Sequence, residues 1–107
     1  FIMGHPSGLP LKYAEGARSF EITDNYFTTN LDSFGGNSGS PVFNKKTLEV
    51  EGILVRGDVD YIDEIQNDGS TCARVNKCDD YRDFCIDNDP GIYGEHVSHI
   101  AKVLKFL

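Results

Sequence analysis

Ser38 is the residue of this chain whose neighbours best equip it for chemistry. It stands in Leu31-Asp32-Ser33-Phe34-Gly35-Gly36-Asn37-Ser38-Gly39-Ser40-Pro41-Val42-Phe43, a glycine-rich turn between two apolar, strand-like runs. Glycine on either side of Asn37-Ser38 lets the backbone take φ values closed to other residues, so the turn can push Oγ outward and aim successive N–H groups at one point. That geometry suits acyl transfer, in which preset donors for the developing oxyanion are worth about 3 kcal/mol of barrier each. A serine hydroxyl also needs a base to take its proton and an acid to hold that base. The G-x-S-x-G elbow of α/β-hydrolases is a poor match, because Ser40 occupies the last glycine position and Pro41 forbids the helix that should follow.

The elements around this turn read as antiparallel β. Residues 26–31 are rich in aromatic and β-branched side chains and form the strand that delivers the turn. Residues 40–44 form a short strand, 44–47 reverse the chain, and 48–56 alternate before becoming continuously apolar, as a strand does on running into a barrel. Upstream, residues 1–3 start a strand that ends in the Pro- and Gly-rich loop 4–10, and 12–22 read as one strand bent at Gly16. Downstream, 92–100 supply a last strand. Val97, Ile100, Ala101, Val103, Leu104, Phe106 and Leu107 fit a short amphipathic helix packed by its apolar side.

With 107 residues and a formal charge of −7, the chain is one small acidic domain or part of a larger protein. A nucleic-acid partner would want a basic face. No run of about 18 apolar residues is present, so no spanning helix and no membrane partner are expected. Cys72, Cys78 and Cys85 are odd in number, which fits one local bridge in an oxidising compartment, and their spacing lacks the short knuckle of structural zinc. No metal and no cofactor are expected. The acidic stretch 58–69 departs from the EF-hand pattern and reads as a solvated loop, as does the acidic block around Asp79-Asp80, Asp83, Asp87 and Asp89. His5 sits in a strand-to-loop turn, and His96 and His99 at the last strand-to-helix junction, so none is assigned chemistry.

Gly36-Asn37-Ser38-Gly39-Ser40-Pro41-Val42, with Gly4-His5-Pro6 before it and Val50-Glu51-Gly52-Ile53-Leu54-Val55-Arg56-Gly57 after it, resembles the serine half of chymotrypsin-like serine peptidases. The likeness is closest to the bacterial glutamyl endopeptidase branch, which also has Asn before the serine. It implies an all-β fold, the C-terminal six-stranded antiparallel barrel of a two-barrel structure, closed by a short C-terminal helix. It also implies that Ser38 is the nucleophile, that the N–H groups of Gly36 and Ser38 form the oxyanion hole, and that a His and an Asp come from an N-terminal barrel outside this chain. Asp32, six residues before Ser38, falls where trypsin-like members carry the pocket acid, with Ser33, Val55, Arg56 and Gly57 lining the pocket. Arg56 stands where it could neutralise Asp32 from inside. Leu54 replaces the histidine that reads acidic side chains, and Phe34 replaces a cysteine that bridges the pocket in trypsin. The implied activity is a secreted or periplasmic endopeptidase cleaving protein or peptide substrates after Arg or Lys, and the alternative is a catalytically inactive peptidase-like binding or structural module.

Overall fold

The computed structural model describes residues 1–76, 78–79, 84–85 and 94–106. Its elements in chain order are β1 (Ile2–Gly4), β2 (Lys12–Ala14), β3 (Ser19–Ile22), β4 (Tyr26–Thr29), β5 (Pro41–Phe43), β6 (Val50–Arg56), β7 (Tyr61–Ile65), β8 (Thr71–Val75), β9 (Cys78–Asp79), β10 (Phe84–Cys85), β11 (Glu95–His99) and α1 (Ile100–Leu104), with a single 3₁₀ turn at Pro6–Gly8. The fold is all-β with one short C-terminal helix. Seven strands form an antiparallel sheet in the order β2-β1-β5-β6-β11-β4-β3, curled into a half-barrel.

Seven strands appear where six were expected because the stretch 12–22 is divided. Gly16 takes a φ of 86°, a turn that a side chain would resist, and the chain on either side of it joins opposite edges of the sheet. Ala14 pairs with Ile2 of β1, whereas Ile22 pairs with Phe27 of β4. The join is held by Asn30, whose Oδ1 accepts the Arg18 N–H at 2.8 Å, and by Thr29, whose Oγ1 donates to the Arg18 carbonyl at 2.8 Å. Bend and edges are thus one covalent unit.

Alternation along the strands turns Ile2, Leu31, Val42, Leu54 and Val97 into the concave side, where each is at most 6% exposed. Ala14, Ala17 and Phe27 pack against them. Gly52 allows β6 and β11 to approach closely: a Cβ there would collide with the Ser98 carbonyl and the Val97 side chain. A register shift between His96 and Val97 then changes which residues of β11 face β6 beyond that point.

Two expectations are corrected. The acidic stretch after residue 57 is a hairpin rather than a loop: β7 and β8 pair from Tyr61↔Val75 to Ile65↔Thr71 around a turn in which Gly69, at φ 83°, donates to the Gln66 carbonyl. Its alternating Tyr61, Asp63 and Ile65 are compatible with a solvated ribbon, so acidity alone did not exclude strand. The helix is also shorter than expected, because Val97 to His99 remain in β11, and Val103, Leu104 and Phe106 are 38%, 57% and 90% exposed instead of packed on the sheet. Cys72 is an exposed free thiol, and the register sets Cys78 opposite Cys85. The start of the expected last strand and most of the second acidic block lie outside the described residues.

Ile2→Val removes one methylene from the concave core and should cost about 0.5–1.5 kcal/mol by urea denaturation. The same change at exposed Ile22 should leave the midpoint within about 0.5 kcal/mol of the parent.

Candidate active site

The Ser38 turn links β4 to β5 and is fastened on three sides. Toward β1, the Ser7 N–H donates to the Gly35 carbonyl at 2.6 Å. Toward β6, Gly39 N–H donates to the Leu54 carbonyl at 2.7 Å and Leu54 N–H returns a bond to the Ser40 carbonyl at 3.0 Å. From beyond β6, the Asp60 carboxylate accepts the Gly35 N–H at 2.6 Å. The Gly-His-Pro block, the serine block and the apolar strand that follows therefore meet in space.

Asn37 is the hub of the turn and is 3% exposed. Its N–H donates to the Phe34 carbonyl at 3.1 Å, its carbonyl accepts from the Ser40 N–H at 2.9 Å, and its side-chain amide donates to Ser33 Oγ at 3.3 Å. Its Oδ1 lies against Gly4, where any Cβ would strike it and also come within 2.7 Å of Ser40 Oγ. That oxygen is buried and has no hydrogen bond among the described residues. Turning Asn37 inward turns its successor outward: Ser38 is exposed, and its Oγ donates to the Val55 carbonyl at 3.2 Å. Gly36 and Gly39 permit this reversal with φ values of 99° and 90°. Among the described residues no acceptor takes the N–H of Gly36 or of Ser38.

The expected pocket residues divide. Asp32 is exposed. Ser33 is buried at 9% exposure and its hydroxyl serves Asn37, so it positions the turn. Val55 contributes its carbonyl to Ser38 while its side chain is 53% exposed. Arg56 is exposed, and its Nε donates to His96 Nδ1 at 3.0 Å. His96 is stacked on Tyr26, and burial first and the Arg56 charge second lower its pKa. Gly57 is half-buried, and a Cβ there would fall on the carboxyl of Glu95.

None of the three histidines reaches Ser38. His5 Nδ1 contacts the Leu9 carbonyl at 3.1 Å, His96 holds Arg56, and His99 Nε2 contacts the Thr23 carbonyl at 2.8 Å. Among the described residues no group of His, Cys, Asp and Glu is arranged to hold a metal ion.

Three residues of the site went unread in the sequence. Asp60 braces the turn, and Tyr61 sits at the foot of the ribbon with its hydroxyl 2.9 Å from Ser7 Oγ and its ring 5.7 Å from that of Phe34. Glu95 is 9% exposed; burial, and then the charges of Asp60, Asp58 and Asp32, raise its pKa to about 8. The signal for Glu95 was available, since it shares the parity of Val97 along the strand and an acid at a core parity is unusual. No protein-family model, curated protein or solved structure matches the chain.

Gly36→Ala should destabilise by more than Gly39→Ala in chemical denaturation. Both lose the glycine φ, a cost of about 1–2 kcal/mol. Only at position 36 does the new Cβ also meet backbone, 3.1 Å from the His5 carbonyl and 3.2 Å from Ser7 N, whereas nothing lies within 4 Å at position 39.

Proposed function

We propose that this chain is the serine-bearing, C-terminal barrel of a two-barrel, chymotrypsin-like endopeptidase that cleaves peptide bonds after Arg or Lys. The observation that carries the reading is an exposed Ser38 hydroxyl in a turn where, among the described residues, no acceptor takes the N–H of Gly36 or of Ser38. The architecture supports it: with 12–22 counted as one bent strand, the seven strands become six, and the two sheet edges are consecutive in the chain.

In this mechanism Ser38 Oγ leaves the Val55 carbonyl and attacks the carbonyl carbon of the scissile bond while a base takes its proton. The former carbonyl oxygen, now negative, is received by the N–H groups of Gly36 and Ser38. Collapse of the tetrahedral species breaks the C–N bond, the base returns the proton to the departing amine, and an ester to Ser38 remains until water hydrolyses it. With His5, His96 and His99 engaged elsewhere, the base and its orienting carboxylate belong to the N-terminal barrel. The same engagement favours a second reading, a peptidase-like module without catalytic activity.

Labelling by a fluorophosphonate separates the two. The protein with both barrels should be labelled, and Ser38→Ala should abolish it; absence of labelling in the parent, or labelling retained in the variant, would contradict the catalytic reading. For the pocket, esters of arginine and lysine should turn over and glutamyl esters should not. Asp32→Ser should lower kcat/KM for the basic esters by roughly a hundredfold, in line with removing the charge that pairs with the substrate cation. An unchanged preference would overturn the pocket assignment.

A further inference from the structure

The peptide unit between Gly35 and Gly36 carries one of the two proposed oxyanion donors, and neither flanking residue has a side chain to restrict its orientation. What fixes it must come from elsewhere. In a trans peptide unit C=O and N–H point in opposite directions, so the bond made by the Gly35 carbonyl decides where the Gly36 N–H aims. That carbonyl accepts from the Ser7 N–H at 2.6 Å, and the N–H of the same residue, Gly35, donates to the Asp60 carboxylate at 2.6 Å. Both polar groups of Gly35 are thus gripped by segments outside the turn. The Ser38 N–H is supported differently, because the carbonyl of its peptide unit, that of Asn37, accepts from the Ser40 N–H within the turn at 2.9 Å.

Both outside grips meet at the base of the β7–β8 ribbon. Asp60 is half-buried; its carbonyl accepts from the Asn76 N–H and the Asn76 side-chain amide donates to the Val59 carbonyl, each at 2.8 Å, so a closed base presents the carboxylate. The next residue, Tyr61, sets its hydroxyl 2.9 Å from Ser7 Oγ. Ser7 holds a φ of 52°, a left-handed backbone that a non-glycine residue keeps only where its surroundings over-determine it. We propose that Asp60 is a positioning residue for the reaction at Ser38: by holding the Gly35 N–H it sets the Gly35–Gly36 peptide and with it the aim of the Gly36 N–H. This rests on the reading of Ser38 as nucleophile and of Gly36 and Ser38 as oxyanion donors. The ribbon thereby governs one donor and leaves the other to the turn's own bonds.

The test compares the proposed two-barrel protein with its Asp60→Ala and Asp60→Asn variants in the kinetics of fluorophosphonate labelling at Ser38, a reaction whose phosphoryl oxygen enters the same two donors. Loss of one oxyanion donor costs about 100- to 1,000-fold, so misaiming it should slow the maximal labelling rate of Asp60→Ala by roughly tenfold or more, with the half-saturating reagent concentration within about twofold of the parent. Asp60→Asn keeps the shape and an acceptor oxygen, so it should fold and label within about threefold of the parent, its neutral acceptor making the weaker bond. NMR of the unreacted proteins supplies a readout that a merely structural role would not move: in both variants the Gly35 and Gly36 amide resonances should shift and that of Ser38 should shift much less. Should Asp60→Ala fail to fold, the amide shifts of Asp60→Asn decide alone. Asp60→Ala labelling at the parental rate, Asp60→Asn labelling as slowly as Asp60→Ala, or a Gly36 resonance that stays in place or moves no more than that of Ser38 would overturn the proposal. A parent that takes no label overturns the peptidase reading and this inference with it; a labelled parent indifferent to position 60 sinks this inference alone.

Discussion

Everything at the site depends on one buried side chain, Asn37, being held under a turn whose flanking glycines reverse the backbone. Its amide bonds to Ser33 and its main chain bonds to Phe34 and Ser40, and these contacts fix which way position 38 must face. The space for it exists because Gly4 has no side chain. Strand β1, otherwise remote in sequence, is therefore part of the serine turn, and the bond from Ser7 to the Gly35 carbonyl completes that link. A hydroxyl displayed by a turn this tightly fastened is preorganised, which is what acyl transfer requires of its electrostatics.

The sheet supplies rigidity and the ribbon supplies a brace. Strand β6 runs from the core residue Leu54 to the carbonyl of Val55 and on to Gly57, so one strand contributes to packing, to the resting place of Ser38 and to the seat of the Glu95 carboxyl. The β7–β8 ribbon returns to the same place: Asn76 donates its N–H to the Asp60 carbonyl and its side-chain amide to the Val59 carbonyl, each at 2.8 Å, closing the ribbon's base. Asp60 then reaches Gly35. The acidic stretch is thereby tied to the turn by geometry as well as by charge.

Much of this was legible in the sequence, where local chemistry dictates local structure. The strands around Ser38 are marked by Tyr26 to Thr29 and by Pro41 to Phe43, and the turn by its glycines. What was illegible depends on partners distant in the chain. Gly16 marked a bend, but only pairing with β1 and β4 divides the strand between two edges. The polar ribbon becomes a hairpin because the Gln66 to Ser70 turn and the Asn76 contacts close it at both ends. Arg56 finds its partner in His96, forty residues on, which no local pattern announces. Glu95 shared the parity of Val97 along the strand, but its place over Gly57 depends on a strand distant in the chain.

The most direct measurement is of the amide protons of Gly36 and Ser38 in the proposed two-barrel protein, by NMR, before and after reaction with a peptidyl phosphonate. If Ser38 is the nucleophile and those two groups receive the oxyanion, the adduct oxygen will shift both resonances downfield and slow both exchanges together, with Asn37 and Gly39 much less affected. An adduct on any other residue, or one on Ser38 that leaves both amides unchanged, would contradict the account.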